Sequence, residues 1–270
     1  MKSLLKTAVL FFLLLGVTSN LSIGQTNNQL FEITPQIGLK YFYWGEYNDE
    51  SVLALEEFGL LYFGGLNIKT KFSNSFDLYV RGNFEFYLGL LNYNGYLQDA
   101  AGNTDPFESE TGYLGLEFLL HFGYDFRLSR CLTFAPEFGL GYENWERDID
   151  NGGQYGYDEL WEFPLFNFGC NFIIRLSHSS KIYFKIIGKS PLTISESVDL
   201  ESRGQGGSDD ISLEPGTNIG INLELGAVIS GAYFSFYFDY IPFSKSALDQ
   251  NYHQPESERS LAGLKLGYQF

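Results

Sequence analysis

The chain has 270 residues, a formal net charge of -16, 18% aromatic residues, two Cys and one Met. Two cysteines cannot staple a small disulfide fold, and an acidic balance disfavours nucleic acid as a partner because phosphate would be repelled. After residue 24 no stretch approaches the roughly 18 uninterrupted apolar residues of a membrane helix, so any membrane crossing must be made by strands.

Lys2 and Lys6 precede an apolar run from Ala8 to Val17, and Ser22-Ile23-Gly24 supplies small residues where a signal peptidase reads. Residues 1–24 are therefore expected to be a cleavable Sec-type signal peptide and 25–270 the mature domain. The absence of Cys at the cleavage point argues against a lipid anchor there.

Period-2 alternation then recurs, most plainly from Phe76 to Phe86, where even positions are apolar or Gly and odd ones polar or Tyr. Ten such runs follow: 31–44, 60–72, 76–92, 113–128, 132–145, 161–177, 181–195, 217–229, 233–243 and 261–270. Their connections alternate strictly between short (around 74, 129, 178 and 231) and long (45–59, 93–112, 146–160, 196–216 and 244–260). That alternation predicts an all-β, transmembrane antiparallel up-and-down barrel of about ten strands, with eight or twelve as the alternative counts and both termini in the periplasm. A soluble lipocalin-like barrel or a sandwich is the competing architecture, and it would turn the apolar face inward.

Trp44, Trp145 and Trp161 fall where runs meet long connections, a placement that suits the outer aromatic girdle. Cys131 is placed in a periplasmic turn and Cys170 in mid-strand, a poor geometry for a disulfide.

The five long connections hold 23 Asp/Glu against 4 Lys/Arg, which places the acid on the cell-facing exterior, whereas the strands are nearly balanced. By parity the lumen receives both signs, and these are expected to pair off because an unpaired charge in low dielectric is costly. Arg81, Glu85, Glu117, His121, Asp125 and Arg127, on runs three and four, form the candidate polar network. Lys181, Lys185 and Lys189 make a basic ladder, placed either to line an anion path or to answer Glu224 and neighbouring acids.

Three local patterns bear on chemistry. Asp148, Asp150 and Glu159, with Gly153 between, match most of a calcium-loop template, although Gly152 takes a usual ligand position and strands flank the loop; a solvated acidic hairpin is the plainer reading. Asp209-Asp210, with Glu201 and Glu214, forms a second acidic cluster beside a glycine-rich stretch. His253, near Asp249, Glu256 and Glu258, is the one histidine placed for an outer rim.

The ending Leu264-Lys265-Leu266-Gly267-Tyr268-Gln269-Phe270 alternates to a terminal aromatic and, with the export signal, resembles bacterial outer-membrane β-barrels of the small OmpA/OmpX-like or opacity-like class. The resemblance implies residence in a Gram-negative outer membrane among lipid and lipopolysaccharide. It also makes Tyr268 and Phe270 the signal read by the barrel-assembly machinery. Ten strands is also the count of the omptin outer-membrane proteases, but no facing acidic pair with a close Asp-x-His spacing supports that chemistry here. The expectation is a monomeric, non-enzymatic, charge-plugged barrel with acidic surface loops and no cofactor except calcium at the acidic hairpin. A small diffusion pore and an outer-rim hydrolase are the alternatives.

Overall fold

Residues 30–73, 77–98, 104–150, 157–199, 211–248 and 253–270 are described by a computed structural model, and their regular structure is entirely β. In chain order the segments are β1 (Phe31–Tyr47), β2 (Leu53–Lys71), β3 (Leu78–Gln98), β4 (Thr104–Tyr124), β5 (Phe126–Arg127), β6 (Leu132–Asp150) and β7 (Tyr157–Arg175). They continue with β8 (Ser180–Pro191), β9 (Ser195–Asp199), β10 (Ile211–Leu213), β11 (Gly216–Thr217), β12 (Gly220–Ile229), β13 (Ala232–Ser244) and β14 (Glu256–Tyr268).

All neighbours pair antiparallel, and β1 meets β14 from Gln36↔Gly267 to Tyr47↔Glu256, which closes the sheet. Short segments extend longer ones: β5 prolongs β4 along β6, β9 prolongs β8 along β7, and β10, β11 and β12 occupy one position between β8/β9 and β13. The wall therefore has ten strands, in the up-and-down order that the alternation of connections predicts.

Parity decides the faces. Large apolar side chains point outward along every wall position, among them Ile37, Leu39, Tyr62, Leu90, Phe138, Leu140, Phe168, Leu225, Phe234, Phe236 and Leu266. A contiguous apolar band on the outside of a closed barrel needs lipid around it. A soluble barrel would turn its apolar face inward, whereas below the tryptophans this lumen interleaves charged residues such as Lys40, Arg81, Glu85, Glu137 and Glu224 with apolar ones such as Phe63, Leu119 and Ile187.

The principal correction concerns the long connections, because the strands run far past the predicted ends. Residues 45–59 form a tight reversal: Asn48 donates to the Val52 carbonyl (2.9 Å), Ser51 donates to the Asn48 carbonyl (2.8 Å), and Asn48 Oδ1 accepts from the amides of Glu50 and Val52. The β3–β4 ladder likewise reaches Gln98↔Thr104, and the β6–β7 ladder reaches Ile149↔Tyr157. Strands β2, β6 and β7 have 19 residues each; at ~3.3 Å per residue and a tilt near ~40° each rises about 48 Å, so roughly 20 Å stands outside a ~25 Å apolar band. Outward residues at that height are Glu56, Glu146, Asp148, Asp158 and Glu162, which marks it as lying beyond hydrocarbon.

The opposite end is trimmed. Ser230 and Gly231 both have positive φ (50° and 88°), the backbone of a two-residue hairpin whose twist matches the flanking strands. The chain terminus is tied down there, with Gln269 donating to the Gly231 carbonyl (2.7 Å) and Phe270 to that of Ile33 (2.9 Å). Cys131 and Cys170 are both free thiols.

Candidate functional site in the lumen

The lumen is filled in layers, starting at the end that carries the short turns. At that mouth Asp125 receives Lys69 (3.1 Å) and Lys71 (2.8 Å), Asp77 receives Lys71 and Arg127 (3.1 Å each), and Glu32 faces Lys181 at 3.5 Å. Deeper, Arg81 meets Glu137 (2.5 Å), Lys185 meets Glu224 (2.8 Å), and Lys40 meets Glu85 (2.6 Å) with its ammonium 3.6 Å above the Tyr87 ring. Tyr183 and Tyr233 both donate to Glu224 at 2.6 Å. Tyr183 lies flat on Gly226, where a Cβ would come within 2.4 Å of the ring.

The next layer spans the barrel. Lys189 of β8 binds Glu117 of β4 (2.9 Å) and Asp239 of β13 (2.7 Å). Arg259 of β14 takes Asp239 at 3.0 Å and both oxygens of Glu143 on β6, with Nη2 at 3.1 Å. β14 is the tenth wall position and β6 the fifth, so this bridge runs along a diameter.

Above it lies an aromatic layer of Trp44, Trp145, Trp161, Phe163 and Phe243, each at most 1% exposed. Trp145 and Trp161 stack (centroids 5.6 Å, 11° between planes), Trp44 meets Trp161 edge-on at 4.9 Å, and Phe243 sits 5.4 Å from Trp44 and 5.5 Å from Trp161. Contributions from wall positions one, five, six and nine leave the cross-section occupied by rings. The guanidinium of Arg259 packs on Trp145 (4.9 Å) and that of Arg147 on Trp44 (5.4 Å), so charged planes cap the layer on both sides. The predicted outer girdle is thus corrected: the three tryptophans point inward, because their parity is that of the lumen face. Tyrosines such as Tyr142 and Tyr240, hydrogen-bonded to Glu162 and to Glu258 (2.9 Å), stand on the outer face instead.

The outermost layer lies beyond the apolar band. Arg147 binds Glu159 (2.6 Å), Glu57 (3.1 Å) and Glu46 (3.6 Å), whose further partners include Trp161, Thr111, Tyr113 and Trp44. Glu196 of β9 is 1% exposed, and its Oε2 has no hydrogen-bond partner. Burial, then the neighbouring Glu159 and Glu46, push the Glu196 carboxyl well above its usual range, while Arg147 pulls the other way. Glu159 is also raised, chiefly by burial. Burial works against the Arg147 charge, but Glu159 and Glu57 outweigh it, and the guanidinium stays cationic. Of the acids around this guanidinium, Glu196 and Glu159 are therefore the two that the fold pushes toward the protonated form. Glu46, Glu57, Glu159 and Glu196 lie inside, whereas Glu56, Glu146, Asp148 and Asp158 of the same connections face outward, so the expectation that the long connections place their acid on the exterior is corrected for the inward set alone.

Among the predicted network residues, Arg81 and Glu85 on β3, Glu117 and His121 on β4, and Asp125 just after β4 do line the interior, yet they do not close on one another. Glu85 and Glu117 are direct cross-strand neighbours, as are Arg81 and His121, so like groups stand side by side and each charge reaches across the lumen for its partner. Arg127 is at the mouth with its side chain 62% exposed. His121 is 2% exposed and neither ring nitrogen has a partner. Of the lysine ladder, Lys185 answers Glu224, Lys189 answers Glu117 and Lys181 answers Glu32.

The calcium template is not brought together. Asp148 pairs across the ladder with Asp158 on the outer face, whereas Glu159 points into the lumen on Arg147; the Asp150 side chain and residues 151–156 lie outside the described residues. Asp209-Asp210 and Asp249 also lie outside them. His253 is half-buried at the outer end and His178 is exposed in the turn before β8. Among the described residues no group of three or more His, Cys, Asp or Glu converges on a metal position. Arg147 and Arg259 are the functional residues that sequence reasoning missed, although each keeps the inward parity of its strand, two residues from Trp145 and from Leu261.

No family model and no curated protein matches the chain. Solved structures do: the outer membrane protease OmpT from Escherichia coli (TM-score 0.49, 10% identity, 92% of this chain and 99% of that one) and the translocator domain of the autotransporter NalP from Neisseria meningitidis (0.46, 7%, 98% and 97%). Ail, the attachment invasion locus protein of Yersinia pestis, also matches (0.33, 12%, 88% and 98%). The likeness is one of fold. Those proteins bear different roles, and none transfers a site to this chain.

Proposed function

We propose that this protein is a non-conducting barrel of a Gram-negative outer membrane, acting at the cell surface through its projecting outer section. The observation that carries the reading is the Trp44–Trp145–Trp161 layer, closed from below by the Arg259–Glu143 diameter. A hydrated path needs polar lining throughout, and here an indole layer replaces it. The outward face above the apolar band, with Glu56, Glu146, Asp148, Asp158 and Glu162, suits contact with divalent cations bridging lipopolysaccharide or with a basic partner. Residence follows from the apolar belt and the expected export signal, and Tyr268 and Phe270, on the closing seam, suit the assembly signal. The protein is read as a monomer without catalytic machinery.

The test is single-channel recording of the refolded protein in a planar bilayer. The wild type is expected to be silent, and Trp44→Ala/Trp161→Ala is expected to give steady steps. Steady, charge-selective steps from the wild type would overturn the reading in favour of a small diffusion pore.

A further inference from the structure

Below the plug a cavity of about 120 Å³ opens toward the end with the short turns. It holds about four waters by volume. Its lining contains six cations, Lys69, Arg81, Lys181, Lys185, Lys189 and Lys265, against three acids, Glu32, Glu117 and Glu224. Those acids are already engaged: Glu224 by Lys185 and two tyrosines, Glu117 by Lys189, Glu32 by Gln269 and Lys181.

The cations are not equally satisfied. An ammonium group has three N–H donors and no acceptor. Lys265, at 9% exposure, has its nearest carboxylate oxygen 3.8 Å away on Glu85, and Glu85 already belongs to Lys40 at 2.6 Å. Lys181 is 3.5 Å from its acid, and Lys185 has one carboxylate for three N–H groups. His121 lines the same cavity, almost fully buried, with both ring nitrogens unpartnered. The cavity is thus rich in cationic donors and short of free carboxylates. Asn171 Oδ1 on its wall is unpartnered, but it is a neutral amide oxygen, and a cation would meet no free carboxylate and an unfavourable field there.

We infer that this vestibule is a binding site for a small free oxyanion of the phosphate or sulfate kind, held by Lys265, Lys185 and Arg81 with a ring N–H of His121. A tetrahedral oxyanion presents several acceptor oxygens to donors arriving from β3, β4, β8 and β14, which no single side chain in the lumen does. Because the cavity ends at the Lys189 layer below the plug, the site is filled and emptied from the periplasmic mouth. It is independent of whether the outer section meets a partner.

The test is calorimetric titration of inorganic phosphate, and separately sulfate, into the refolded barrel in a phosphate-free glycoside detergent. Saturable binding is expected, weakened roughly tenfold or more in Lys265→Met, since a hydrogen bond to a charged group is lost. That variant leaves Glu85 with Lys40, so the fold keeps its ion pair. Lys245→Met, whose ammonium pairs with Asp49 at the outer end, is expected to bind as the wild type does. In the unmodified protein, ¹⁵N resonances of His121 are expected to move with phosphate while those of His178 and His253 stay. No saturable binding by the folded wild type, an unmoved His121, or equal weakening in Lys245→Met would each overturn the assignment.

Discussion

Removing Arg259 puts the diameter bridge to a direct test. Glu143 is 1% exposed, and besides Arg259 it is reached by the Tyr87 hydroxyl at a long 3.4 Å. Arg259→Met therefore strands a buried carboxylate, whereas Asp239 keeps Lys189 at 2.7 Å and Asn222 at 3.1 Å. Leaving one member of a buried pair uncompensated costs about 3–5 kcal/mol, and the loss should fall in that range because one of two carboxylates is stranded. Adding Glu143→Gln removes the stranded charge, so the double variant should recover about 2–3 kcal/mol relative to the sum of the single costs. Urea unfolding of the barrel in lipid vesicles reads this directly, since all three tryptophans lie in the adjacent layer and their fluorescence reports its integrity. A loss below about 1 kcal/mol in Arg259→Met, or strictly additive single costs, would refute the claim that the pair is mutually dependent.

Two further outcomes are expected. Because burial raises the Glu196 carboxyl in the folded chain, its contribution to stability is present at acid pH and is lost as pH rises through the raised folded value. Glu196→Gln should then match the wild type near pH 4 and be more stable near about pH 9, as followed by unfolding midpoints across that interval; a constant difference would refute the assignment. Phe270→Ser removes the ring that packs 4.9 Å from Tyr268 at the closing seam, and it should reduce the heat-modifiable folded barrel recovered from membranes. Undiminished recovery would detach the terminal aromatic from assembly.

The barrel was legible because period-2 alternation survives in every strand; counting those runs gave ten, and the alternation of short and long connections made the number even. What composition obscured was where strands end. Glu46, Glu57, Arg147, Glu159 and Glu196 look like loop residues by charge, yet they alternate with outward partners and are inward by parity. The tryptophans misled for a related reason: an indole at a strand end reads as an interfacial anchor, and only its parity with Glu143, Arg147 or Phe163 reveals the inward direction. Ion pairs across the barrel were beyond reach, since Arg259 and Glu143 lie 116 residues apart and meet only through the curvature of a closed wall. That Lys185 would answer Glu224 was accessible from strand adjacency alone, and the two are in register.

The same separation sets an order of events during folding. A contact between the fifth and tenth wall positions has no local precursor, and its loop must be closed before any of its energy is returned. Until β14 docks against β1, Glu143 has no Arg259 and the stacked indoles lack the cation beneath Trp145. Closure of the seam and completion of the diameter bridge are consequently one cooperative event, and a partly zipped wall is an open trough that keeps only the interior contacts between neighbouring strands, such as Trp145 on Trp161 and Lys185 on Glu224.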